Sequence, residues 1–336
     1  MPLITIWIAV LGLCIGSFLN VVIGRLPNDE SVVKPRSRCP KCGHQLPWYE
    51  NIPVISWVML RGKCSSCKAP ISPRYVLVEL LTGTLFVACI PRFGFDWPLV
   101  SALTFLTFLI PLIFIDAEHW ILPFELTLPG IAFGVLLAIP RGSEAVVTAV
   151  IGAVAAFLVF RAMEFAGWAV TGREALGAGD KYLLAMIGAQ LGWRSLLGVI
   201  LFSSLQGAVV GIVRMRLTGR AGPEVATEPR VEGATTEDEE APAREPFTPE
   251  FLKPGLPAWK RLLFIPFTIF LQDIPDSPPP DESTGEVPDW VPGANNIPFG
   301  PWIGLAAIEV MLLGPYIVDQ LAHTPYRLLS EIVFGQ

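Results

Sequence analysis

The chain has 336 residues, of which 52% are hydrophobic and only 16% charged, with 24 Lys and Arg against 30 Asp and Glu for a net charge of −6. Its mean hydropathy of +0.54 is far too high for a soluble globular domain, so the bilayer is expected to form the core. The acidic total carries no topological meaning, because acids crowd one late segment while Lys and Arg cluster near the ends of apolar runs.

The first apolar run, Leu3 to Ile23, has no Lys or Arg before it and ends in Gly24-Arg25-Leu26-Pro27. Without the basic leading region of a cleaved signal peptide, it is expected as a retained span with its N-terminus outside. The polar stretch from Pro27 to Arg74 carries Lys34, Arg36, Arg38, Lys41, Arg61, Lys63, Lys68 and Arg74, which places it in the cytoplasm. Span two is expected from about Tyr75 to Ile90 and span three from Pro98 to Ile115, returning inside at Asp116-Ala117-Glu118-His119. Span four covers Ile121 to Ile139, and span five covers Ala145 to about Val170. Gly177-Ala178-Gly179-Asp180-Lys181 is then inside as well. A short Gly-rich stretch, Tyr182 to about Trp193, and the run Ser195 to Val213 read as spans six and seven.

From about Thr218 to Asn296 the pattern breaks into a segment rich in Pro, Gly, Glu and Asp around Glu237-Asp238-Glu239-Glu240, a composition that favours disorder. Within it Leu262 to Leu271 is too short to cross and reads as an interfacial segment. Span eight, Pro301 to about Val318, leaves the C-terminus outside. The fold class is therefore an all-α polytopic membrane protein of about eight transmembrane helices with a small cytoplasmic zinc-knuckle loop. Its expected divisions are a first span (1–26), a zinc-binding loop (27–74), a transmembrane catalytic core (75–217), an acidic insert (218–298) and a last span with tail (299–336). No period of about 20 to 50 residues marks a repeat array.

Four of the six cysteines form two CxxC pairs, Cys39-Pro40-Lys41-Cys42 and Cys64-Ser65-Ser66-Cys67, inside the basic loop. Two such turns supply four sulfurs to one tetrahedral ion, so a reducing compartment and structural zinc are expected, with no open coordination position for Lewis-acid chemistry. Disulfides or free thiols are the competing reading. His44 is read as a loop or supporting residue, and Cys14 and Cys89 as small buried hydrophobes.

Asp116 closes the apolar run Thr107 to Ile115, and Asp180 follows two glycines. An ionisable group at the edge of hydrocarbon is costly unless paired or hydrated. Charge-rule threading puts both on one side of the membrane, where two carboxylates sharing a proton around a water could hydrolyse a peptide bond. Taken singly, Asp116 could be a hydrated helix-end residue and Asp180 a helix N-cap. A transporter using both as a proton or cation relay, and a zinc-knuckle scaffold that leaves them idle, stay open at this point.

Gly16-Ser17-Phe18-Leu19-Asn20-Val21-Val22 before Arg25-Leu26-Pro27, the paired CxxC turns, Ile115-Asp116, Gly177-Ala178-Gly179-Asp180-Lys181 and Phe299-Gly300-Pro301 together resemble the type 4 prepilin peptidases. The resemblance implies a GxGD aspartyl protease of the bacterial inner membrane, with Asp116 and Asp180 catalytic at the cytoplasmic face. It would cleave the basic leader of type IV prepilins or type II secretion pseudopilins. Members with the cysteine loop also N-methylate the new N-terminus with S-adenosylmethionine, and that activity rests on the resemblance, since no glycine-rich cofactor fingerprint is visible. A preflagellin or presenilin-like GxGD protease would share the aspartates, but the CxxC turns favour the prepilin branch. Arg74-Tyr75-Val76-Leu77-Val78-Glu79-Leu80-Leu81-Thr82-Gly83 also resembles the family's entry to span two. Glu79 is a third candidate carboxylate, for methyl transfer or as a fold-supporting group bonded to Arg74 or Asn20. Expected partners are prepilin-like substrates and membrane lipid, not nucleic acid. The acidic insert is longer than the family pattern and reads as a solvated linker.

Overall fold

The structure is a computed structural model describing residues 2–171, 177, 179–219 and 297–321, with backbone alone at 168–171 and 315–321. The acidic insert, its apolar island Leu262 to Leu271 and the tail beyond 321 lie outside the described residues. The regular secondary structure among the described residues is helical, and the loop between the first two long helices is mostly turns and bends. The sole β-type pairings among them are two isolated bridges, Arg38 with Gln45 and Lys63 with Pro70.

The helices are α1 (Pro2–Arg25), α2 (Ile55–Met59), α3 (Arg74–Ala88), α4 (Ile90–Phe93), α5 (Trp97–His119), α6 (Phe124–Leu136), α7 (Ser143–Thr171), α8 (Asp180–Leu191), α9 (Leu196–Thr218) and α10 (Gly300–Leu321). Among the described residues six segments are long and apolar enough to cross a bilayer: Pro2–Asn28, Arg74–Phe93, Trp97–His119, Phe124–Arg141, Ser143–Gly167 and Trp193–Thr218. Gly300–Gly314 adds a shorter apolar helix. The protein is thus an all-α, multi-pass membrane protein. Expected span six, now α8, has 12 residues and is about 18 Å long, short of the roughly 30 Å of hydrocarbon.

Two compact units divide the chain. The first takes Met1–Ala156, Tyr182–Ser204 and Pro298–Gln336, and the second takes Phe157–Lys181 and Leu205–Ile297. In the first unit, α1 and α3 meet through glycine. A Cβ on Gly12 would lie 2.8 Å from the Gly83 Cα, and one on Gly16 would lie 2.7 Å from the Glu79 Cα. With little apolar-to-lipid driving force between spans, such small-residue seams supply the packing that holds helices together. The Asn20 amide locks this seam by donating to the carbonyls of Gly16 (3.2 Å) and Tyr75 (2.9 Å).

The core of the first unit is α5, whose Leu106, Leu109, Leu112 and Ile115 are fully buried. From Tyr182 onward α8 is enclosed on nearly all sides: Leu183, Leu184, Met186, Ile187 and Ala189 are buried, and Met186 and Ala189 pack on Gly130 and Gly134 of α6. A helix apolar all round belongs inside protein, which is why α8 does not need the length of a span. Large apolar side chains stay exposed on the outward faces of the long helices, Leu3, Trp7, Val147 and Val154 among them, as lipid-facing surface requires.

Candidate active site and cysteine cluster

The cysteine module repeats one backbone pattern twice, 25 positions apart. The amide of Cys39 donates to His44 and that of Gly43 to Cys39; the amide of Cys64 donates to Ala69 and that of Lys68 to Cys64. The bridges Arg38 with Gln45 and Lys63 with Pro70 close the two hairpins at the same offset. At the residue after each second cysteine the chain turns left-handed, with φ +71° at Gly43 and +60° at Lys68. This is a duplication of two, below the length of a repeat array, and only the CxxC spacing announced it in the sequence.

All four sulfurs lie within 4.8 Å of one another. Cys39 Sγ is 3.8 Å from Cys67 Sγ, and Cys42 Sγ is 3.9 Å from Cys64 Sγ. A thiolate tetrahedron around an ion with bonds of about 2.3 Å has edges of about 3.8 Å, whereas a disulfide needs about 2.05 Å. The four cysteines therefore fit a tetrahedral metal ion and are not disulfide-bonded.

Backbone amides prepare the sulfurs for that role. Those of Cys42 and Lys41 lower the Cys39 thiol to about 7. Those of Cys67 and Ser66 lower Cys64. At Cys67 the Ala69 amide also acts to lower the value, but the sulfurs of Cys42, Cys64 and Cys39 together with burial outweigh it, and the thiol is pushed up to about 11. Four thiolates so close repel one another, and a cation at the centre removes the conflict. His44 is not among the clustered donors; its Nε2 lies 3.5 Å from Glu50, whose carboxylate accepts from the Ser65 hydroxyl at 2.8 Å.

Glu79 is buried in the second turn of α3 and accepts from the Val54 amide at 2.7 Å, with the Ser17 hydroxyl also bonded to it. Neither partner expected from sequence is used. Arg74 pairs with Glu118 at the end of α5, and Asn20 spends its amide on α1 and α3 backbone. Val54 itself sits at φ +62°, ψ −51°, the centre of a tight γ-turn closed by the Ile55 amide on the Pro53 carbonyl at 2.6 Å. For a β-branched residue that conformation costs on the order of 1–3 kcal/mol, which the hydrogen bond from its amide to Glu79 helps offset.

Asp116 lies in the last turn of α5, which continues to His119 before Trp120 caps it by donating to the Asp116 carbonyl at 3.0 Å. Its side chain is 6% exposed, and Oδ2 is buried without a protein partner among the described residues. The backbone of Gly300, opening α10, faces this carboxyl. A Cβ there would come within 2.6 Å of Oδ2, so any side chain at position 300 would push the Asp116 carboxyl aside.

Asp180 belongs to the second unit and is 5% exposed. It is the first residue of α8, not the residue before it; its amide donates to the Gly177 carbonyl at 3.0 Å, and a Cβ on Gly177 would lie 3.3 Å from its Oδ2. The next residue, Lys181, reaches a buried charge cluster that sequence reading passed over. Arg161 donates to Glu164 Oε2 at 2.8 Å, and Lys181 Nζ lies 3.6 Å from the same oxygen, all three side chains at most 3% exposed. The available signal was an opposite-charge pair three residues apart inside an otherwise apolar run.

Comparison with known proteins places these residues within a family. Residues 10–93, holding the cysteine module and Glu79, match the Bacterial Peptidase A24 N-terminal domain. Residues 103–212, holding both aspartates, match the Type IV leader peptidase family. A Myxococcus xanthus protein named prepilin leader peptidase/N-methyltransferase is 56% identical over 318 residues, 94% of this chain and 92% of that protein. Proteins of the same name from Aeromonas hydrophila and Pseudomonas aeruginosa are 44% and 41% identical over 60% and 62% of this chain, and 77% and 79% of their own lengths. The Myxococcus match is too extensive to leave out the acidic insert. No solved structure matches the chain. The chain belongs to the type IV leader peptidase family.

Proposed function

We propose that this protein is a membrane aspartyl endopeptidase that removes the basic leader of type IV prepilins or pseudopilins and then N-methylates the exposed N-terminus. The observation that carries the reading is that Asp116 and Asp180, each buried at a helix end, both fall in the segment matching the leader peptidase family. The relatives' printed names pair peptidase with methyltransferase, and neither a methylation-free protease nor an ion relay finds support in them.

In this reading Asp116 and Asp180 are the two carboxyls that aspartyl hydrolysis requires, one ionised and one protonated. One takes a proton from water as it attacks the scissile carbonyl, and the other donates to the carbonyl oxygen. Gly300 lets α10 start close against the Asp116 carboxyl, while the Arg161–Glu164–Lys181 cluster fixes the helix start that carries Asp180. Cys39, Cys42, Cys64 and Cys67 hold structural zinc; four thiolate ligands fill its tetrahedron, so its contribution is folding and not hydrolysis. Methylation uses S-adenosylmethionine as donor. No set of described residues is assigned to that molecule, so no transfer step is derived. The active site faces the cytoplasm from the bacterial inner membrane, consistent with the Lys/Arg bias of the loops.

The test is leader removal from a basic-leader pilin peptide by detergent-solubilised enzyme, read by product mass. The wild type yields the cut product and, with S-adenosylmethionine, a product one methyl heavier. Cleavage undiminished in Asp116→Asn or Asp180→Asn would overturn the assignment.

A further inference from the structure

We infer that α2 of the cysteine module is a membrane-surface wedge, lying with its apolar face in the headgroup and upper acyl region of the lipid. The short helix is turned the wrong way for a water-exposed loop. Its one buried residue is polar: the Ser56 hydroxyl donates to the Tyr49 carbonyl at 2.9 Å and accepts from the Ile52 amide at 2.9 Å, while the half-buried Trp57 turns its ring toward Gly62. Its outward side, at helical spacing, is Ile55, Val58 and Met59, which are 55%, 60% and 78% exposed. Trp48 and Tyr49, tied to α2 through Ser56, are also exposed, at 73% and 57%. Tryptophan and tyrosine are the residues that gather where lipid meets water.

Depth selects lipid as the occupant. α2 starts directly after Val54, whose amide is held 2.7 Å from the Glu79 carboxylate. Glu79 lies five residues, or about 7.5 Å of helix, inside the candidate span Arg74–Phe93. The chain entering α2 is thus pinned at or below the level where α3 enters the bilayer, and an apolar face leaving that point meets lipid. Exposed Arg61 and Lys63 follow at once, in position to meet anionic headgroups.

The test uses the full chain in nanodiscs of phosphatidylethanolamine and phosphatidylglycerol, with a photoreactive benzoylphenylalanine at Met59 or, as control, at Lys41 on the tip of the first cysteine hairpin. Severalfold more lipid adduct at 59 than at 41 is expected. Adducts at 59 to a second copy of the chain, to added pilin peptide, or to nothing would overturn the inference. A second reading needs no change in α2: acyl-brominated lipids should quench wild-type tryptophan fluorescence more than that of Trp48→Phe. Equal quenching of the two proteins would overturn it as well.

Discussion

In the cysteine module polar groups are held by backbone amides, twice over and in the same way, whereas around the aspartates they are held by helix ends, one glycine contact and buried charge. The first device is local. Each hairpin closes over a handful of residues, and the CxxC spacing alone predicts where its sulfurs go. The second is long-range: Gly300 meets Asp116 across nearly two hundred positions of sequence, and Lys181 of α8 meets Glu164 of α7. Damage to the first should therefore stay in the module, and damage to the second should reach the reaction.

The largest effect tests the second region. Asp116→Asn and Asp180→Asn should each lower kcat for leader removal by at least about 10²-fold, with the protein still inserted and loaded with metal. Next comes Glu164→Gln, which removes the carboxylate that Arg161 and Lys181 share. Losses of about 3–5 kcal/mol are usual for such a broken pair, so a clear fall in thermal unfolding temperature in detergent is expected. Lys181→Arg should recover more stability and activity than Lys181→Met, because it keeps the charge.

Gly300→Ala should lower cleavage by about tenfold with little change in KM, since the added carbon displaces Asp116 and touches no substrate-binding group. In the cysteine region, Cys39→Ser with Cys42→Ser should remove the roughly one zinc per chain expected of a four-thiolate site, while cleavage falls far less than in the aspartate variants. If metal loss abolished cleavage as completely as Asp116→Asn, the contrast between local and long-range devices would fail. The smallest effect sharpens the electrostatics. In metal-free protein, alkylation of Cys39 should level off as pH rises past about 7, while that of Cys67, raised to about 11, keeps climbing with each added pH unit.

Sequence reading carried the long spans well, because about twenty apolar residues in a row have few other uses. It carried the cysteines for the same local reason. It placed Asp180 just before a helix, and the structure makes it the first helical residue, a shift of one that terminal fraying and loose boundaries make common. It gave Glu79 a charged or amide partner on neighbouring spans, but the true partner is the backbone amide of Val54 in a strained loop, which no residue type announces. Arg161 and Glu164 were hidden by the high apolar average of α7, and Gly300 was visible only as part of a motif whose steric reason needed coordinates.

The bond between Val54 and Glu79 has a consequence for how the molecule responds to stress. Cys42 and Cys64 are brought to 3.9 Å, so the stretch between them is a loop pinched at its base, bearing Trp48, Tyr49 and α2, and the Val54 amide ties that loop to α3. A metal held by the four sulfurs would close the base, and the module would then sit on α3 as one docked piece. Oxidants or chelators that open the base would loosen the docked piece first, while the glycine seam between α1 and α3, built from Gly12, Gly16 and Gly83, stays closed.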